Sequence, residues 1–227
     1  MLDINPTYRI SQLLFEGTAR VLFKLKVSGR ENVPKRPYVV ISNHNSYLDP
    51  ALIGIVCRGD HVDFMAKREL FGEPFFGSWA RAVGAIPLNR DDSLGSGLKE
   101  SIKRIKRGRV ISMFPEGTRS LDGSIQRAQK GVGFLIGKAD IPVLPIYIKN
   151  SGIALTSDGK INRGTSVAVY AGKTISPDDP RLAGYKAKKD YQAIADMAME
   201  SVTELKERCD AEKEEEIKGV ESFAEKR

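Results

Sequence analysis

Apolar positions along this chain recur in two alternating rhythms. Between Tyr8 and Leu25, the residues Ile10, Leu13, Leu14, Val21 and Leu25 fall mostly on one stripe, with Arg9, Arg20 and Lys24 off it. That is the spacing of an amphipathic helix, weakened slightly by Gly17. Short β-branched runs follow at Tyr38 to Ser42, Val62 to Ala66, Arg109 to Phe114, Val143 to Ile148 and Ser166 to Tyr170, each the length of a strand. Helical stretches separate them. Asp49-Pro50 reads as an N-cap followed by proline at the first helical position, opening a helix over Ala51 to Cys57. Another helix has Leu94, Leu98, Ile102 and Ile105 on its apolar face, carries Lys99, Lys103, Arg104, Lys106 and Arg107, and closes at Gly108. A late helix spans about Tyr191 to Arg208, and the polar run from Glu212 to Arg227 is expected to fray. This alternation predicts an α/β fold: a central, mostly mixed β-sheet flanked by helices, with an N-terminal amphipathic helix and a C-terminal helix.

Composition narrows the picture. A chain of 227 residues, 41% hydrophobic and 29% charged, suits one substantial globular domain with appendages. The expected division is an N-terminal helix over 1–30, a main domain over 31–185, and a C-terminal helix with a charged tail over 186–227. No run reaches the ~18 apolar residues of a membrane span, and no secretory signal is read in Tyr8 to Lys26. Cys57 and Cys209 lie far apart, and His44 and His61 are the only histidines, so neither a metal site nor a disulfide framework is expected. The net charge of +7 is uneven. The last 42 residues hold nine basic and twelve acidic side chains, leaving +10 on the first 185. A basic body points to phosphate-bearing partners: nucleic acid, anionic lipid or a phosphorylated cofactor.

Candidate chemistry sits in four blocks. The first is Asn43-His44-Asn45-Ser46-Tyr47-Leu48-Asp49, at the end of a strand. Histidine is a base near neutral pH, and a carboxylate beside it can fix its tautomer. Positions five apart in an unbroken helix are rotated by about 140°, so His44 and Asp49 must meet across a turn. The plain alternative is that Asp49 only caps a helix and His44 is a polar loop residue. The second block, Gly84-Ala85-Ile86-Pro87-Leu88-Asn89-Arg90, ends in an arginine at a strand exit. The third, Phe114-Pro115-Glu116-Gly117-Thr118-Arg119-Ser120, is either a polar turn or a phosphate cradle with Arg119 as a bidentate donor. The fourth, Ile141 to Ile148, is an apolar strand bent at Pro145.

In order and residue type, these blocks resemble the four signature blocks of the glycerophospholipid acyltransferase superfamily. Glu116 to Ser120, Asp122-Gly123, Lys130-Gly131 and Phe64 to Leu70 are most similar to its lysophosphatidic acid acyltransferase branch. The resemblance covers roughly Val39 to Asn150. It implies an enzyme that moves a fatty acyl group from acyl carrier protein or acyl-CoA to the sn-2 hydroxyl of lysophosphatidic acid, with another lysolipid as the alternative acceptor. By the same resemblance His44 is the general base and Asp49 orients it. The hydroxyl attacks the thioester directly, without an acyl-enzyme or a cofactor. Arg90 and Arg119 bind the substrate phosphate, Glu116, Gly117 and Thr118 shape that pocket, Lys67 assists at the phosphate or the oxyanion, and Pro145 helps wall the thioester.

Other patterns carry less. Gly131-Val132-Gly133 with Gly137-Lys138 lacks Walker spacing, and no Gly-x-Ser-x-Gly elbow occurs. His61, between Asp60 and Asp63 in an otherwise featureless stretch, reads as a surface or capping histidine. Amphiphilic substrates imply an anionic membrane surface as a partner, reached from the cytoplasmic side by peripheral or monotopic attachment, with the first helix as anchor or, alternatively, simply packed on the sheet. A nucleic-acid-binding protein is the rival from another class, but no RNA-recognition aromatic pair, zinc finger or helix-turn-helix supports it, and no nucleic-acid partner is expected. A non-catalytic lipid-binding relative is a third reading.

Overall fold

The computed structural model describes residues 5–88 and 95–224. Seven strands form one sheet: β1 (Lys26–Ser28), β2 (Val39–Ser42), β3 (Val62–Lys67), β4 (Ile86–Leu88), β5 (Val110–Met113), β6 (Val143–Lys149) and β7 (Ala168–Ala171), in the spatial order β1-β7-β6-β2-β5-β3-β4. All neighbours are parallel except β6 and β7, so the sheet is mixed as the sequence pattern implies. The middle strands β2 and β5 are buried at every position. That is why they read as unbroken apolar runs rather than as alternating ones.

Helices cover both faces: α1 (Pro6–Leu22), α2 (Asp49–Val56), α3 (Pro74–Ala82), α4 (Gly95–Ile105), α5 (Lys130–Ala139), the single turn α6 (Ser151–Ala154), α7 (Pro180–Lys188) and α8 (Tyr191–Ala224). Successive strand residues feed opposite cores. Ile41 and Ile111 pack with Leu135 of α5 and Ile194, Val202 and Leu205 of α8, while Val40 and Val110 pack with Ala19 of α1 and Leu52, Ile53 and Ile55 of α2. No helix among the described residues is long and apolar enough to cross a membrane.

The structure corrects three expectations. Helix α2 begins at Asp49 itself. Leu48, whose side chain has no polar atom, occupies the cap position, and the Asp49 carboxylate is turned back onto the preceding loop. The last helix runs to Ala224, through most of the Glu212 to Arg227 stretch expected to fray, which is rich in the strong helix formers Glu, Lys and Ala; residues 225–227 lie outside the described residues. His61 is not at the surface. It is buried, stacked on Tyr8 of α1 at 4.1 Å, with its Nε2 hydrogen-bonded to the Val83 carbonyl at 2.7 Å. The glycine-rich stretch from Lys130, to which the sequence pattern assigns no element, is helix α5. A side chain at Gly133 would come within 1.7 Å of the Tyr191 carbonyl oxygen, so its glycine lets α5 and α8 pack closely.

Parallel pairing decides where the chemistry emerges. β2 and β5 are parallel neighbours, so the loops that follow them, from Asn43 and from Phe114, leave the sheet at one edge. Such an edge, where strand connections diverge to either side, is the usual ligand crevice of an open α/β sheet.

Candidate active site

Asn43 extends the pairing of β2 with β6 by a side chain. Its Nδ2 donates to the Ile148 carbonyl at 2.9 Å, and its Oδ1 accepts from the Ile148 N–H at 2.8 Å. The backbone is therefore fixed just before His44. Across the turn, His44 Nδ1 donates to Asp49 Oδ2 at 2.8 Å, and the same oxygen accepts from the N–H groups of Asn45 (2.7 Å) and Ser46 (2.8 Å). Asp49 is wholly buried, and its Oδ1 has no hydrogen-bond partner. A carboxylate held at one oxygen by two backbone donors has little freedom to swing. It commits the proton of His44 to Nδ1 and leaves the lone pair on Nε2. The imidazole lies flat on Phe114, with ring centroids 3.9 Å apart and planes 12° from parallel, and its side chain keeps 18% of its surface exposed.

The loop after β5 holds His44 from the other side. Glu116 Oε1 accepts from the His44 N–H at 2.8 Å, Glu116 Oε2 accepts from the Gln126 N–H at 3.0 Å, and the Ser120 N–H donates to the His44 carbonyl at 2.8 Å. Burial pushes the Glu116 carboxyl above its ordinary range, against the pull of the two backbone donors. Both oxygens are thus engaged, and Glu116 shapes the site by clamping His44. The turn itself needs Gly117, which sits at φ +75° and donates its N–H to the Phe114 carbonyl at 3.1 Å. Gly117 and Thr118 are exposed at its tip. Arg119 reaches back to the first loop. Its Nη2 donates to the Tyr47 hydroxyl at 3.1 Å, and its guanidinium lies 3.8 Å over the centre of the Tyr47 ring.

His44, Asp49, Glu116, Gly117, Thr118 and Arg119 are therefore gathered at one edge of the sheet. Pro145 is set apart from them. It pairs with Ile41, three residues before His44, and lines a cleft of about 830 Å³ with Gly172, Ile175, Leu205 and Arg208. Because Val143 and Ile175 exchange backbone hydrogen bonds, that cleft is at the start of β6, the end remote from His44. Arg90 and the side chain of Lys67 lie outside the described residues; the backbone of Lys67 pairs with Leu88 at the exit of β3 and β4. Sequence reasoning missed the tasks of Asn43, Phe114 and Tyr47, although all three stand inside the blocks it singled out. Among the described residues no group of three or more His, Cys, Asp or Glu could hold a metal ion. The arrangement offers a histidine with one free nitrogen, a buried carboxylate to stabilise its charged form, and a half-buried arginine on the neighbouring loop. Together these suit proton abstraction from a hydroxyl on an anionic substrate.

The family model described as Acyltransferase matches residues 24–149. A chloroplastic 1-acyl-sn-glycerol-3-phosphate acyltransferase of Brassica napus is 35% identical over 149 residues, which cover 63% of this chain and 42% of that protein. The 1-acyl-sn-glycerol-3-phosphate acyltransferase of Borreliella burgdorferi is 30% identical over 186 residues, covering 81% of this chain and 73% of that protein. The crystal structure of the 1-acyl-sn-glycerophosphate acyltransferase of Thermotoga maritima superposes with a TM-score of 0.68 at 26% identity, over 88% of this chain and 79% of that one. The matched stretch spans less than half the length of the chloroplast relatives, 42% and 44% of the Brassica napus and Arabidopsis thaliana proteins.

Proposed function

The chain belongs to the acyltransferase family, within its 1-acyl-sn-glycerol-3-phosphate acyltransferase group, and on that premise we propose that it acylates the sn-2 hydroxyl of lysophosphatidic acid to give phosphatidic acid. The observation that carries this reading is the 2.8 Å bond from His44 Nδ1 to the buried Asp49 carboxylate, with Arg119 held on Tyr47 of the same loop. Nε2 of His44 takes the hydroxyl proton as the oxygen attacks the thioester carbonyl. Asp49 stabilises the imidazolium so formed. The tetrahedral adduct collapses by breaking the carbon–sulfur bond, and the departing thiolate recovers the proton from His44. No acyl-enzyme is required. Cys57 is fully buried with its thiol pushed up to about 12, so it is no nucleophile.

Arg119 receives the acceptor phosphate, assisted by Arg90, with Gly117 and Thr118 bounding the pocket and Lys67 near the phosphate or the oxyanion. The acyl donor is a thioester of acyl carrier protein or of CoA. Both substrates are amphiphiles, and the exposed apolar residues of α1, Ile10, Leu13, Leu14 and Val21, support docking of that helix on an anionic bilayer, on its cytoplasmic face.

A thiol-release assay tests the reading with acyl-CoA and acyl carrier protein thioesters against lysophosphatidic acid, other lysophospholipids and monoacylglycerol. Turnover is expected with lysophosphatidic acid. His44→Ala should fall to background while its circular dichroism is unchanged. Near-wild-type turnover in that variant would overturn the mechanism, and equal rates with monoacylglycerol would overturn the phosphate-bearing acceptor.

A further inference from the structure

Helix α3 carries the most exposed large apolar side chain among the described residues, Phe75 at 92%, and one turn later on the same face Trp79 at 44%. The exposure does not come from a loosely held helix. On the opposite side Ala80 is buried, Arg81 Nη1 donates to the Phe71 carbonyl at 2.9 Å, and a side chain at Gly77 would strike that carbonyl oxygen at 2.2 Å. Helix α3 is thus anchored on one face and turns aromatic rings outward on the other.

Two hydrogen bonds set α3 against α1. The Asn5 side chain donates to the Ala82 carbonyl at 2.9 Å, and Trp79 Nε1 donates to Ser11 Oγ at 3.1 Å. As α1 advances from residue 5 to 11, its partner recedes from 82 to 79, so the helices run antiparallel. Phe75 then extends the line beyond Trp79, level with the part of α1 that follows Ser11 and exposes Leu13 and Leu14. It also lies toward the turn over Arg68–Gly72, which leaves β3 at the sheet edge where the His44 loop emerges. Within the two helices the charged residues are Arg9, Arg20, Arg81 and Glu16, and Glu16 is buried against Arg20 and Arg30. Arg81 turns to the opposite side of α3, so the charged residues bordering the joint apolar face are Arg9 and Arg20 of α1 and Glu73, which caps α3.

We propose that α3 is a second membrane-inserting element, whose Phe75 and Trp79 continue the apolar face of α1 and seat the catalytic edge of the sheet against an anionic bilayer. The proposal rests on the bilayer docking of α1 argued above. A contiguous apolar face of this kind marks an interaction surface. Net charge selects the occupant: the first 185 residues carry +10, so two copies of this body would repel each other, whereas an anionic lipid surface attracts it. Trp79 has the indole of a residue at home between acyl chains and headgroups, and Phe75 has no polar atom to keep it there.

Trp79 is the only tryptophan of the chain, so its emission reports on α3 directly. With vesicles of phosphatidylcholine and phosphatidylglycerol, the emission should shift to the blue and be quenched by lipids brominated on their acyl chains. Phe75→Ser should weaken vesicle co-sedimentation roughly tenfold, the scale of withdrawing one phenyl ring from an apolar phase, and Phe75→Leu should restore most of it. At 92% exposure the side chain supports no packing, so both variants should keep the wild-type circular dichroism. Co-sedimentation with unmoved Trp79 emission, or a Phe75→Ser variant that binds like the wild type, would overturn the proposal. So would a dimer that Phe75→Ser dissolves in a protein that ignores vesicles. These readouts need no turnover. A protein that moves Trp79 into vesicles yet transfers no acyl group would refute the proposed reaction and leave the docking surface standing.

Discussion

The N–H of His44 donates to Oε1 of Glu116 at 2.8 Å, a bond that joins the ends of two parallel strands across 72 positions of sequence. The glutamate of the third block therefore braces the backbone of His44. Its second oxygen, bonded to Gln126, ties the outgoing limb of the same loop to the same point. The position of His44 is set by β5 as much as by β2.

Glu116→Ala removes the acceptor from two backbone donors at once. Each orphaned N–H costs about 1–3 kcal/mol when it stays out of water, so urea unfolding should report a marked loss of stability. The rate should fall through kcat, because His44 loses its support while Arg119 keeps its contact with Tyr47. Glu116→Gln should lie between the two, since its amide oxygen can still serve His44 but its NH₂ then opposes the Gln126 N–H. Wild-type stability and rate in the alanine variant would remove the clamp from the account.

Asp49→Asn tests the charge alone. The side chain keeps its shape and can still accept from Asn45 and Ser46, so unfolding should change little. What disappears is the negative charge that stabilises protonated His44 and the certainty that Nδ1 carries the proton. A loss of roughly 10²–10⁴ in kcat is expected, with the acceptor KM nearly unchanged. Equal losses in stability and rate would instead make Asp49 a folding residue.

The two halves of the site differ in how far the sequence reveals them. His44 and Asp49 are five residues apart, and the strand before them and the proline after them force a turn, so their meeting is local. Glu116 with His44, and Arg119 with Tyr47, are contacts between loops 72 residues apart, fixed by the parallel pairing of β2 and β5, which no local pattern displays. The same limit governs the fold. The buried middle strands announce themselves as apolar runs, whereas β1 and β4 have three residues each, too few for a period to form. Helix α5 hides behind the glycines that let it approach α8. His61 reads as exposed because its covering ring, Tyr8, belongs to α1, far away in the chain.

Tyr47 offers Arg119 both an aromatic face and a hydroxyl acceptor. A cation over an exposed ring is worth about 0.5–1 kcal/mol, and a hydrogen bond about as much again. Tyr47→Ala should therefore raise the KM for lysophosphatidic acid roughly tenfold, with kcat close to wild type, because His44 and Asp49 are untouched. Tyr47→Phe keeps the ring and should recover more than half of that free energy. Steady-state kinetics at fixed donor concentration separates these outcomes. A fall in kcat at constant KM would show that Tyr47 acts on the base and not through the arginine.

His61 makes acid stability measurable at one buried group. Burial lowers its pKa from the ordinary 6.5; the Val83 carbonyl and Asp63 pull it upward, and Arg109 and Arg104 push it down with the burial. Its Nε2 proton is committed to Val83, and Nδ1 is buried without a partner, so a second proton would find no acceptor. Above about pH 6.5 the ring is neutral in both the folded and unfolded chain, and its contribution to stability is fully present. Below that value the unfolded chain takes up a proton that the folded protein refuses. Stability then falls with pH by at most about 1.4 kcal/mol per unit until the lowered folded pKa is reached. Urea unfolding at about pH 7.5 and about pH 5.5 should show this loss in the wild type, superimposed on whatever the carboxylates add. His61→Gln, which can still donate to Val83 but does not titrate, should lose less over the same interval. Identical pH dependence in the two proteins would mean that His61 is solvated and that its stack on Tyr8 does not hold α1 in place.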